Sequence, residues 1–144
     1  MTHEDAGKYS AKHPVGTTCD PATAAAVKQK SENGRITCAA AHDIAGRLVV
    51  PPAEVGKTID LLEYRIVKCQ MGLFGYSPEK KIVKPSDVIF GELESRLRDA
   101  VSDGKVGCAT CWEIARALGM GKMDVSAACE GLAIKISPCQ LGAF

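Results

Sequence analysis

The chain has 144 residues with 46% hydrophobic and 24% charged side chains, a balance that fits a globular protein and excludes a disordered or fibrous one. Eighteen Lys and Arg face 17 Asp and Glu for a net charge of +1, so no global attraction pulls the chain towards nucleic acid. No apolar run approaches the ~20 residues of a membrane span, and the polar start MTHEDAGKYSAKHP lacks the apolar core of a signal peptide, so a cytoplasmic protein without membrane contact is expected.

In chain order, residues 1–19 have no periodicity and read as a flexible N-terminal arm. Asp20-Pro21 supplies an N-cap and a proline at the first helical position, and the helix it opens stops at Asn33-Gly34. A short extended piece, Arg35–Cys38, leads to a second helix over Ala40–Leu48 and, after Val49-Val50-Pro51, to a third over Pro52–Leu62. Tyr64–Lys68 then reads as a strand, Cys69-Gln70-Met71-Gly72 as a turn, and the residues up to Phe74 as a short return strand. Residues 77–85, with three Lys and one Glu between two prolines, form a basic linker.

The same series then recurs. Without a gap, Ile36–Phe74 lies over Val106–Phe144 at an offset of 70 residues: Cys38 meets Cys108, Ile44-Ala45 meets Ile114-Ala115, Val55 meets Val125, and Cys69-Gln70 meets Cys139-Gln140. Ahead of this second copy, Ile89, Leu93, Leu97 and Val101 recur every four residues from Ser86 to the stop at Asp103-Gly104. Thr110 with Glu113 has the spacing of a capping box for the helix Thr110–Leu118. The third helix follows at Lys122–Leu132 and a strand at Ile134–Ser137. An internal duplication of this length implies two small units, 20–76 and 86–144, each near the lower size limit for a self-sufficient core.

Helix, strand, helix, turn, helix, hairpin, together with the spacing of Ala115, Gly119 and Val125, resembles the helix-turn-helix of winged-helix domains. In the first copy Ala45 and Val55 match that pattern and Val49 stands at the glycine position. The resemblance implies a mainly α fold with small β-hairpins (an α+β class) and two tandem winged-helix repeats. It also implies that the third helix enters the DNA major groove while the hairpin touches phosphate. The expected contacts are Lys57, Thr58, Arg65 and Lys68 in the first copy, Lys80 and Lys81 in the linker, and Lys122 and Ser126 in the second. Glu54, Asp60, Glu63, Asp124 and Glu130 compete with them on the same elements.

Seven cysteines without a secretory signal argue against a disulfide framework. Cys38 and Cys108 close the first strands and Cys69 and Cys139 open the turns, positions where a small buried thiol serves as core. Alternatively, Cys108-x2-Cys111 with Cys139 offers three soft ligands, Cys129 being a distant fourth. The repeated Gln70 and Gln140 have no evident core role. Neither a catalytic set nor a cofactor motif is visible, so an enzyme is not expected.

Three functions fit these residues: a small DNA-binding transcriptional regulator, a winged-helix module that contacts a protein partner or a second copy of itself, and a thiol-based redox or metal sensor.

Overall fold

Asp20 opens the first helix as its composition dictates. Its carboxylate accepts from the Thr23 N–H at 3.0 Å, and Pro21 occupies the first turn, where no N–H is needed. In a computed structural model, which describes residues 7–144, that helix is α1 (Pro21–Lys30). It is followed by β1 (Arg35–Thr37), α2 (Cys38–Leu48), α3 (Pro52–Leu61) and β2 (Arg65–Val67). After an irregular stretch come α4 (Gly91–Ala100), β3 (Lys105–Val106), α5 (Cys108–Leu118), α6 (Lys122–Gly131) and β4 (Lys135–Ile136). The described residues are thus mainly helical with a few short strands, and each element from α1 to β2 has a counterpart starting 70 positions later.

The sheets differ from the expected wings. β1 pairs with β2 in parallel, in the register Arg35↔Arg65, Ile36↔Ile66, Thr37↔Val67, and β3 pairs with β4 in the same sense. Two helices form the crossover that a parallel pair requires. Among the described residues no return strand follows β2 or β4, so neither hairpin forms. The cause is apolar: Met71 and Leu141, the residues that would pair, are 1% and 2% exposed instead. Burying such a side chain stabilises by about 1.5–3 kcal/mol, more than a short edge ladder returns.

Helix starts also shift. α2 begins at Cys38, where the Thr37 hydroxyl caps the Ala40 N–H at 3.1 Å. α5 begins at Cys108 after Gly107, so Thr110 lies inside the first turn and its expected capping box with Glu113 does not form. α4 begins only at Gly91, because Ser86 is held elsewhere: its N–H donates to the Ala127 carbonyl and its hydroxyl to that of Val88.

Two compact units result, and their membership corrects the expected boundaries. Unit 1 comprises the chain up to Cys69 together with Gln140–Phe144; unit 2 is Gln70–Cys139. The core of unit 1 gathers Val27, Ile36, Ile44, Val55, Ile59 and Ile66. Leu141 joins that unit, and its carbonyl lies so close to α3 that a Cβ at Gly56 would overlap it. Unit 2 buries Leu93, Leu97, Val106, Val125 and Ile136, with Met71 among them. The basic stretch 77–85 is part of unit 2 and not a free linker: Ile82 and Val83 both donate to the Gly72 carbonyl, at 2.9 and 3.2 Å.

The arm is likewise anchored over its described part. Tyr9–Lys12 forms a short 3-10 helix, with Tyr9 1% exposed. The first six residues of the expected arm lie outside the described residues.

α2 and α5 both end on a left-handed residue, Val49 at φ 55° and Gly119 at φ 65°. A β-branched side chain in that region costs about 1–2 kcal/mol, and Val49, 88% exposed, gains no packing in return. Val49→Gly is therefore expected to raise unfolding stability by about 0.5–1 kcal/mol, and Gly119→Val to lower it, as measured by urea denaturation. Gly56→Ala is expected to expel Gln140–Phe144 from α3, read as rapid proteolytic trimming of those residues while the remaining chain stays resistant.

Candidate functional site

The expected DNA contacts depend on what each third helix shows to solvent. In α3 the residues Val55, Gly56, Thr58, Ile59 and Asp60 are buried, which leaves Ala53 and Glu54 exposed and Lys57 half-buried. In α6 the residues Val125, Ser126, Ala128 and Cys129 are buried, which leaves Met123, Asp124 and Gly131 exposed.

Each expected contact residue can now be placed. Thr58 is 1% exposed and its hydroxyl donates to the Glu54 carbonyl at 2.9 Å, so it cannot meet a base edge. Ser126 is fully buried, and its hydroxyl has no hydrogen-bond partner among the described residues. Lys57 pairs with Glu54 at 2.7 Å and Lys81 pairs with Glu130. Lys122 donates to Gln70 Oε1 at 3.0 Å and sits 4.1 Å from the centroid of the Trp112 ring. Arg65 is half-buried in β2, whereas Lys68 and Lys80 are exposed.

The repeated Cys-Gln string gains a local role here. Gln70 holds Lys122 at the first turn of α6, and Met71 enters the core of unit 2. Leu141 fills the corresponding place on α3 in unit 1, and the Gly142 carbonyl accepts from Lys12 Nζ at 3.0 Å. Cys69 is buried and Cys139 half-buried. In both copies, the string covers a third helix.

A second arrangement went unread in the sequence. Asp60, 2% exposed, receives Lys12 Nζ at 3.1 Å and His13 Nε2 at 2.8 Å on one carboxylate oxygen. Its other oxygen is buried without a hydrogen-bond partner among the described residues. Glu130 occupies the equivalent position in unit 2 and receives Lys81. The available signal was an acidic residue at the same place in each third helix with a Lys ahead of each first helix, Lys12 and Lys81. Glu63 completes the anchor by accepting from the Tyr9 and Ser10 N–H groups at 3.0 and 2.7 Å. Loss of solvation opposes its charged form, but the hydrogen bonds from Ser10 and Tyr9 prevail and hold its carboxyl below the usual range.

The thiols do not form the expected Cys108, Cys111, Cys139 set. Cys111 on α5 instead shares a hydrogen bond with Cys129 on α6, and Cys108 is a near neighbour of Cys111. Cys38, Cys69, Cys108, Cys111 and Cys129 are buried, and no disulfide is present among the described residues. Nor is any group of three potential ligands there close enough to hold a metal ion. No described helix is long and apolar enough to cross a membrane.

One concave feature stands apart from these residues. A cavity of about 210 Å³ in unit 2 is lined by Ser86, Ile89, Leu93, Met120, Asp124 and Ala128, with Val88 and Phe90 also on its wall. Val88 and Phe90 are 85% and 47% exposed, large apolar surface for side chains beside a cavity. Compared with known protein families, curated proteins and solved structures, the chain shows no significant match.

The Glu63 anchor makes stability depend on pH. Because the folded carboxyl titrates below its unfolded value, its contribution is complete above the ordinary carboxylate pKa and is lost as pH falls through the folded one. Discounted for solvent screening, Glu63→Gln is expected to lower stability by about 1 kcal/mol at pH 7. In paired urea titrations the gap to wild type should close below about pH 4; a gap independent of pH would contradict the assignment.

Proposed function

We propose that the chain is a non-catalytic module that docks on another protein, built from two copies of a helix-turn-helix unit that arose by internal duplication and share the winged-helix order of helices. The observation that carries this reading is the surface of the third helices. What they leave exposed is Ala53 and Glu54 in one unit and Met123, Asp124 and Gly131 in the other. A major-groove helix needs Arg, Lys, Asn or Gln at such positions. Apolar surface is available instead: Val88 and Phe90 beside the cavity suit an aliphatic or aromatic side chain of a partner, with Asp124 on the same wall to receive a cation.

DNA binding remains the second reading, supported by the helix-turn-helix order of α2 and α3 and of α5 and α6, and by exposed Lys68 and Lys80. Of the expected contact residues, only these two cations are exposed without an ion pair among the described residues, few beside the six to ten phosphate contacts of a specific complex.

Two measurements separate the readings. Tagged protein expressed in its native host is expected to co-purify with a stoichiometric protein partner, and Val88→Asp with Phe90→Asp should reduce that recovery at least about tenfold. A gel-shift titration at two salt concentrations should find random-duplex affinity weaker than about 0.1 mM at low salt. Equal recovery of the partner by the double variant, or micromolar DNA binding with a steep salt dependence, would overturn the docking reading.

A further inference from the structure

Cys111 and Cys129 occupy facing positions on two packed helices, are 0% and 1% exposed, and share a hydrogen bond. The equivalent residues 70 positions earlier are Ala41 and Ile59, also buried at 0%. A core of this design therefore closes with plain hydrocarbon, and the two thiols in unit 2 are not needed for filling. Free cysteine commonly behaves as a small hydrophobe; here two of them are placed against each other.

We propose that Cys111 and Cys129 form a peroxide-sensitive dithiol site that closes to a disulfide stapling α5 to α6. The two helices are those of the helix-turn-helix in unit 2, so the bond would fix their packing. The step balances with one equivalent of a small peroxide. The Cys129 thiolate attacks one peroxide oxygen, the O–O bond breaks, and the sulfur becomes a sulfenic acid while hydroxide leaves. The Cys111 sulfur then displaces the sulfenic hydroxyl from Cys129, forming the S–S bond. The displaced hydroxyl leaves with the Cys111 proton as water, and the proton that Cys129 gave up on ionising neutralises the first hydroxide, so two thiols and one peroxide give one disulfide and two waters.

The order of attack follows from the hydrogen bond. Donation from Cys111 favours the Cys129 thiolate and lowers its pKa, outweighing the opposing effect of burial. The same bond to Cys129, then burial and the neighbouring thiols, push Cys111 upward, which makes it the donor of that bond. Burial restricts the oxidant: at 0% and 1% exposure neither sulfur can meet a bulky disulfide, which leaves small peroxides as the class to test. Cys19 and Cys139, both half-buried, are the sites open to larger reagents.

The test is direct. Folded protein is treated with stoichiometric hydrogen peroxide, alkylated, and digested with trypsin without reduction. The peptides Val106–Arg116 and Met123–Lys135 are expected to be recovered joined, with fragmentation placing the bond on Cys111 and not Cys108. Joining should remove two alkylatable thiols and raise the thermal midpoint by at least about 5 °C. C111A and C129I copy the residues of the other unit, should fold, and should lose both the crosslink and the midpoint rise. Recovery of both peptides separately, a bond on Cys108, oxidation of Cys129 beyond the sulfenic level without a link, or a midpoint rise that persists in C111A would overturn the proposal.

Discussion

The structure of unit 1 turns on one close approach, that of the Leu141 carbonyl to Gly56 in the middle of α3. No other residue type fits there, since any Cβ would meet backbone and not a flexible side chain. Through that contact Leu141 reaches the core, and Gly142 presents its carbonyl to Lys12. Lys12 in turn reaches Asp60 on the same helix. Helix, C-terminal segment and arm are thereby held by one set of neighbours on α3. Unit 2 solves the same problem with different chemistry: Ser126 stands where Gly56 does, Met71 is the buried apolar residue, and Gln70 grips Lys122.

Electrostatics reinforce the arrangement. Asp60 is almost fully buried, and a buried carboxylate is stable only when paired; Lys12 and His13 supply that pairing on one oxygen. Glu130 is more open, and its bond to Lys81 is a surface pair of small value. The consequence for function is a matter of accounting for cations. Lys12, Lys57, Lys81 and Lys122 each have an internal partner, so the third helices are poor in available cations, and the docking reading adds to that the apolar wall at Val88 and Phe90.

Much of the helical skeleton was legible in the sequence. Asp20-Pro21, Asn33-Gly34, Pro51-Pro52 and the Leu93-Leu97 spacing mark their helices through capping, turn and periodicity chemistry that acts over a few residues. Strand pairing was not legible, because Ile66 and Ile136 are buried whether the neighbouring strand runs parallel or antiparallel. The fate of Met71 and Leu141 was hidden for a related reason: a single apolar residue beside a glycine turn fits a return strand or a core strap equally well, and only the vacancy over Gly56 distinguishes them. Of the candidate site, the exposure of Lys68 and Lys80 followed from position. The burial of Thr58 and Ser126 did not, because small hydroxyl residues suit a helix interior as readily as a groove-facing edge. The meeting of Cys111 with Cys129 needed the packing of α5 on α6, which spacing along the chain does not encode.

Gln140–Phe144, the end of the repeated string in the second copy, covers α3 of the first copy and belongs to unit 1 with it. Native-state hydrogen exchange on the full chain and on a chain stopped after Cys139 tests it. Loss of the buried Leu141 should accelerate exchange of the Val55–Asp60 amides by about tenfold or more and leave those of Val125–Glu130 unchanged. Faster exchange in Val125–Glu130 with Val55–Asp60 unaffected would contradict it.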